Sequence, residues 1–283
     1  MLNIASTSPA AKARWYIESH FQEEIKLEKI AAIVGVSPFH LTRVFAVNTG
    51  YSVMRYARAR RLREAARLLA NGAPDILAVA LEAGYNSHEA FTRAFGDQFG
   101  LTPESLRAQG HLNTIKLVEA IKMDETLLAQ LDPPRLLDGK TMLVAGIGER
   151  YTAETSAAIP AQWQKLTPYM GSIAGQVGRA TYGVLCNGDG AGNTEYICGV
   201  EVSDFSRVPA EFSRIKIPAH RYAVFTHRGH ISAIRRTWYT IFNQWLPDSG
   251  YTLADGPEFE RYDERFDPMS GNGELEIWIP LQQ

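Results

Sequence analysis

Leu41-Thr42-Arg43-Val44-Phe45 and Phe91-Thr92-Arg93-Ala94-Phe95 are one phrase written twice, 50 residues apart. Each copy sits in the same local setting. Ahead of the first, Leu27 to Gly35 has helical spacing, with Ile30, Ala31 and Val34 on one face. Gly35 suits the left-handed turn that ends such a helix. Ser37 then caps a second helix that Pro38 opens. In it Leu41, Val44 and Phe45 point inward, and Phe39, Thr42, Arg43 and Ala46 point outward. The second copy repeats the plan. Asp75 caps Ile76 to Ala83, with Val79, Ala80 and Ala83 inward and Gly84 at the turn. Ser87 caps the next helix, in which Phe91, Ala94, Phe95 and Phe99 are inward and His88, Glu89, Thr92 and Arg93 outward.

A small inward residue, a turn glycine and a capped second helix describe a helix-turn-helix. The second helix of such a unit can enter a major groove and present side chains to base edges. Arg can bond guanine with two parallel hydrogen bonds, and Thr can hydrogen-bond a base or touch a thymine methyl. Phe39, His40, Thr42 and Arg43, with His88, Glu89, Thr92 and Arg93, are therefore the candidate contacts to double-stranded DNA. Between the units, Tyr51 to Asn71 reads as one helix of about 30 Å. Ala59, Leu62, Ala66 and Leu69 form its apolar face, and Arg55, Arg58, Arg60, Arg61, Arg63 and Arg67 supply charge. A rigid connector fixes the spacing of two readers, which must be about 34 Å to share one face of DNA. One such unit alone is common in ordinary helical bundles. The matched Thr-Arg pair is what favours a DNA reader.

The net charge of −2 conceals an asymmetry. Residues 1–112 carry 13 Lys+Arg against 10 Asp+Glu, and residues 113–283 carry 16 against 21. A basic half and an acidic half imply separate tasks. No run of apolar residues is long enough for a transmembrane helix, so no membrane partner is expected. Met1 to Pro9 lacks a basic segment followed by an apolar core, so no secretory signal is expected. Cys186 and Cys198 are then read as reduced core thiols. Together these place the chain in the cytoplasm, on nucleoid DNA.

Beyond about Lys140 the texture changes. Thr141–Gly146, Thr181–Leu185 and Glu195–Val202 read as strands, and four of the five tryptophans lie in this half. The order is strand (141–149), helix (158–169), strand (180–186) and strand (195–202). It then repeats as strand (213–227), helix (231–246), strand (259–266) and strand (274–281). The expected organisation is multi-domain: an all-α double helix-turn-helix domain over 1–109, a linker over 110–139 holding Pro133-Pro134, and an α+β domain over 140–283. The linker's Thr114 to Leu131 is a candidate for partial helix. In Glu260-Arg261-Tyr262, alternation puts Glu260 and Tyr262 on one face; in 274–280 it groups Glu274, Glu276 and Trp278. Carboxylates among aromatics suit a cationic or amphipathic small-molecule effector. A solvent-facing strand with polar residues outward would look the same.

Residues 10–108 resemble the AraC-type DNA-binding domain. The resemblance rests on Gly84-Tyr85-Asn86-Ser87, the Phe91-x-Arg93-x-Phe95 core and the Gly100-x-Thr102-Pro103-x-x-x-Arg107 tail. It implies that Phe39, Thr42 and Arg43 read one groove and that His88, Glu89, Thr92 and Arg93 face the next, with RNA polymerase as a partner. Glu89 and Phe39 depart from residues frequent in the family. Glu89 could accept from a cytosine amino group or repel phosphates. Residues 140–283 resemble the GyrI-like small-molecule-binding domain through Ile217-Pro218-Ala219 to Gly229, Glu260-x-Tyr262 and Glu276-Ile277-Trp278-Ile279-Pro280. That resemblance implies a pocket containing Glu260, with Tyr262, Glu276, Trp278, Tyr222 and Trp163 as further nominees. The pairing matches Rob-like regulators, and the reading is a non-enzymatic regulator, an activator, without a cofactor or metal. Two alternatives stand beside it. His220, His227, His230 and Glu260 could serve a small-molecule hydrolase, although no phosphate loop or nucleophile elbow is present. The second domain could also dock a protein partner on a constitutive DNA binder.

Overall fold

A computed structural model describes residues 8–21, 23, 25–117, 128–189 and 192–282. The N-terminal region holds seven described helices: α1 Pro9–His20, α2 Leu27–Val34, α3 Pro38–Thr49, α4 Val53–Ala70, α5 Ile76–Glu82, α6 His88–Phe99 and α7 Pro103–Gln109. Their ends follow the local chemistry. Ser37 Oγ accepts from His40 N at 3.2 Å, Asp75 from Leu77 N at 2.8 Å and Ser87 Oγ from Ala90 N at 3.1 Å. Each bond satisfies a backbone donor that the first helical turn leaves unpaired. Gly35 and Gly84 take φ of 78° and 79°, the left-handed turns the repeat required. Across the first turn, α2 and α3 meet at 87°.

The helix α4 serves both units. Its Val53, Tyr56 and Ala57 join the core built on Ile17, Ile30, Leu41, Val44 and Phe45. Its Leu62, Ala66 and Leu69 join a second core of Val79, Ala80, Phe91, Phe95 and Leu106. Burying each such phenylalanine contributes about 1.5–3 kcal/mol, so α4 is anchored at both ends by burial.

The C-terminal region is one antiparallel eight-stranded sheet in the order β1-β6-β8-β7-β3-β4-β2-β5. Its strands are β1 Arg135–Asp138, β2 Met142–Tyr151, β3 Gln176–Cys186, β4 Thr194–Val202, β5 Ser213–Ile217, β6 Arg221–His230, β7 Glu258–Asp267 and β8 Asn272–Leu281. Helix α8 (Ile159–Leu166) follows β2. Helix α9 (Ile234–Thr240) follows β6 and runs through a π-helical stretch, Ile241–Trp245, into α10 (Leu246–Ser249). The twofold strand-helix-strand-strand plan is present, with three departures from expectation. The strand expected over 213–227 is two strands. Pro218 removes a ladder donor, and β5 then pairs with β2 at one edge while β6 pairs with β1 and β8 in the other half. The helix expected over 231–246 begins as a 3₁₀ turn and changes pitch at Ile241. The sheet also starts earlier than the expected boundary at 140, because Arg135–Asp138 pairs with Arg221–Val224. Of the expected partial helix over Thr114–Leu131, residues 118–127 lie outside the described residues, and Thr114 to Leu117 form turn and coil.

Each face of the sheet is apolar. The face under α8 and α9 carries Tyr196, Cys198, Phe225, Leu275, Ile277 and Ile279, packed with Trp238 and Phe242. The opposite face carries Tyr182, Val184, Tyr222, Val224 and Phe259. The first cluster is continuous with the core of the first helix-turn-helix unit. Among the described residues, no single helix is long and apolar enough to cross a membrane.

Candidate nucleic-acid interface and ligand site

The second unit leaves much of the outward face of its second helix open. On α6, Glu89 and Arg93 are exposed, and His88 and Thr92 are half-buried. His88 Nε2 lies 3.0 Å from Glu104 Oε1, so one nominee is partly tied to α7. The Glu89 carboxyl is held below its usual range, first by its own backbone N–H and then by Ser87. An acid at a helix N-terminus gains from those free donors and from the helix dipole.

The first unit differs. The outer face of α3 was expected to meet solvent; His40 is 1% and Thr42 3% exposed. Arg43 does leave the core of its own unit, and it enters the other domain. Its Nε donates to Glu258 Oε2 at 3.2 Å, and its guanidinium lies over the Trp238 ring, 5.1 Å from the centroid. His40 Nε2 stands 3.4 Å from Glu258 Oε1. Burial pushes the His40 imidazole below its usual range, against the pull of Glu258. Arg235 Nη2 donates to the Val47 carbonyl at 3.4 Å, and Arg55 pairs with Glu154. Helical periodicity identifies a face as polar without identifying what lies over it.

The arginines of α4 are also more occupied than a charged helix face implies. Arg60 makes a two-pronged contact with Glu18, with bonds of 2.7–3.0 Å. Arg61 donates to the carbonyls of Phe21 and Glu23, and Arg63 is buried. These side chains brace α1 against α4. Arg58 and Arg67 remain exposed.

The six nominated ligand residues divide between the two faces of the sheet. Glu260, Tyr262 and Trp163 lie on the helix-covered face. The Glu260 carboxylate is buried and accepts three neutral donors: the Tyr262 hydroxyl at 2.8 Å, the Tyr196 hydroxyl at 2.9 Å and Trp238 Nε1 at 3.2 Å. Trp163 Nε1 donates to the Tyr196 oxygen at 3.1 Å. Gly183 makes this arrangement possible, since a Cβ there would lie 2.0 Å from the Tyr196 hydroxyl and 2.9 Å from Glu260. Burial pushes the Glu260 carboxyl above the ordinary range, and the three donors only partly counter it. Among the described residues, no cationic group bonds to it.

Tyr222, Trp278 and Glu276 belong to the other face, because β7 and β8 pair Phe259 with Trp278 and Glu260 with Ile277. Phe259 and Trp278 stack at 5.2 Å, and Tyr222 packs edge-on against both. They line a cleft of about 180 Å³ together with Tyr182, Glu201, Lys140 and Arg261. Glu276 is not a free carboxylate there. It is paired with Arg135 at 2.5 Å, Arg265 at 3.1 Å and Arg261 at 3.2 Å, and it accepts from Trp278 Nε1. Burial acts to raise its pKa, but the Trp278 N–H first, and then the three arginines, hold its carboxyl below the usual range.

The histidines weighed for catalysis do not converge on Glu260. His227 is buried against Thr237 at 2.7 Å and the His230 carbonyl at 3.3 Å. No group of three His, Cys, Asp or Glu among the described residues could hold a metal ion. Both thiols are free and buried, and burial pushes each up to about 12.

Three residues of this region escaped the sequence reading: Tyr196, Trp238 and Glu258. Trp238 packs in the core under its helix, and its ring N–H bonds Glu260 while its face carries the Arg43 guanidinium. Glu258 had a legible signal in its parity, which it shares with Glu260 on β7.

Comparison with known proteins agrees with this layout. The model of the GyrI-like small molecule binding domain matches residues 132–282, and a helix-turn-helix domain model matches residues 30–109. The transcriptional regulator BrlR of Pseudomonas aeruginosa is 28% identical over 245 residues, covering 80% of this chain and 86% of its own. The transcriptional regulator Rob of Salmonella typhimurium is 23% identical over 280 residues, covering 95% and 96%. The multiple antibiotic resistance protein MarA of the same organism is 34% identical over 92 residues, 32% of this chain and 72% of its own.

Proposed function

This chain belongs to the DNA-binding transcriptional regulators of the AraC/Rob type that carry a GyrI-like domain, and from that premise we propose that its C-terminal domain senses a small organic cation. Glu260 is the charge that recognises the ligand, within an aromatic box of Tyr196, Tyr262, Trp163 and Trp238. In the same proposal, α3 and α6 read successive major grooves. Phe39, His40, Thr42 and Arg43 contact one, and His88, Glu89, Thr92 and Arg93 contact the other. The regulator acts as an activator that engages RNA polymerase in the cytoplasm. The relatives are named as regulators, which favours a non-enzymatic role.

One observation carries the ligand reading: Glu260 is a carboxylate walled by aromatics, with three neutral donors and no bonded cation among the described residues. A buried carboxylate with no bonded cation is costly, and a cation seated on aromatic faces would supply both charge and contact. The experiment is thermal shift of the full chain with tetraphenylphosphonium as a bulky probe cation, since a ligand that binds the native state raises its melting temperature. The shift should be lost in Glu260→Gln; an undiminished shift would remove Glu260 from the site. Binding requires the ionised carboxylate, and burial raises its pKa. Affinity should therefore fall as pH is lowered, beginning above the range in which an exposed glutamate titrates. An affinity that holds steady until that ordinary range is reached would count against it.

A further inference from the structure

Glu258 and Glu260 point to the same face of β7, and Trp238 serves both. Its Nε1 bonds Glu260, while its ring carries the Arg43 guanidinium that also bonds Glu258. Glu258 is 0% exposed. Among the described residues, the charged or chargeable groups that pair with it, Arg43 and His40, come from α3, the helix nominated to read DNA. The contact extends beyond one ion pair. Phe39 packs so closely on the loop after β3 that a Cβ at Gly188 would lie 2.7 Å from its ring, and a Cβ at Gly192 would lie 2.1 Å from that of Ser52. A guanidinium over an indole and bonded to a carboxylate is a common way to bind a delocalised cation. Here the cation is a side chain of the same polypeptide.

We propose that Glu258 and the Trp238 face form a planar-cation subsite beside Glu260, and that Arg43 fills it until an amidinium- or guanidinium-like ligand displaces it and frees α3 for DNA. This deepens the preceding reading and rests on it. Arg43 cannot bond Glu258 and a base edge at once, so occupancy of the subsite by Arg43 and reading by α3 exclude each other. A ligand that binds only the released form shifts the balance by its differential affinity. The fraction of released molecules then sets the apparent affinity for DNA. Withdrawal of α3 would leave Glu258 without its cation at an aromatic wall, and the incoming ligand restores that pairing.

The test measures DNA affinity of the full chain by fluorescence anisotropy, on a duplex that the chain itself selects from a random pool. Glu258→Gln removes the anchor. Gly188→Leu, on a loop outside the core, wedges Phe39 away and covers the case in which the first variant fails to fold. Each should bind DNA about tenfold tighter than the parent without ligand. Benzamidinium should strengthen the parent's DNA binding, measured against matched sodium chloride, and should add nothing to Glu258→Gln. Its neutral isostere benzamide should do nothing. Folded variants that bind DNA as the parent does would overturn the interlock, leaving the contact as plain domain packing with α6 as the reader. Tighter variants combined with a parent that ignores benzamidinium would overturn displacement by a cation. The tetraphenylphosphonium shift at Glu260 is scored separately, so its failure is distinguishable from either result.

Discussion

Arg43 and Arg93 occupy matching positions of a repeat, yet Arg43 is 13% exposed against Glu258 and Trp238 while Arg93 stands in solvent. The phrases around them are nearly identical, as are the serine caps of α3 and α6, the turn glycines Gly35 and Gly84 and the inward Phe45 and Phe95. What separates them is the partner each unit found. The first unit shares its core with the C-terminal domain, and the second keeps a core of its own. Equal local sequence therefore builds equal helices and leaves their availability to be decided by packing elsewhere.

The comparison can be broken most sharply by chemistry at equivalent positions. His40 and Ala90 are related by the repeat; the first is buried and the second exposed. A cysteine introduced as Ala90→Cys should react with iodoacetamide far faster than one introduced as His40→Cys. The native thiols supply a silent background, because each is buried with its pKa pushed up to about 12. Equal rates would mean that α3 is not covered in solution.

A smaller effect sharpens the same contrast on DNA. Arg93→Ala should cost about 1–3 kcal/mol on a selected site. Arg43→Ala should cost less in the ligand-free chain, since the lost base contact is offset by the loss of a bond that holds α3 away. A loss at Arg43 as large as that at Arg93, both in and out of benzamidinium, would erase the distinction. The smallest effect concerns Glu89, which stays ionised and exposed at the start of α6. Glu89→Gln should tighten binding slightly if the carboxylate repels phosphates. Weaker binding, confined to sites with cytosine at one position, would instead assign it an amino-group contact.

Much of the fold could be read along the chain because its determinants are local. Caps such as Ser37, Asp75 and Ser87 act within three residues, and the two passes of strand and helix follow from period and composition. The connection between domains was not legible. Arg43 and Glu258 are 215 residues apart, and no periodicity links them. The ligand residues illustrate a subtler limit. Alternation correctly groups Glu260 with Tyr262, and Glu276 with Trp278, within each strand. It does not say that β7 and β8 pair odd with even numbers, as Phe259 with Trp278. That register sends the two groups to opposite faces. The Arg135–Asp138 strand was hidden by its brevity and by the prolines before it. The break at Pro218 was visible as a residue, although its effect, a jump between distant parts of the sheet, belongs to topology.

Because Arg43 and the carboxylate it bonds belong to one polypeptide, their encounter does not weaken when the protein is diluted. A tethered group competes as if present at a fixed local level, which for short connections is in the millimolar range. A soluble rival must exceed that standing level, weighted by its own fit, before the balance tips. The chain would thus carry its own response threshold, set by covalent geometry and independent of how many copies a cell contains.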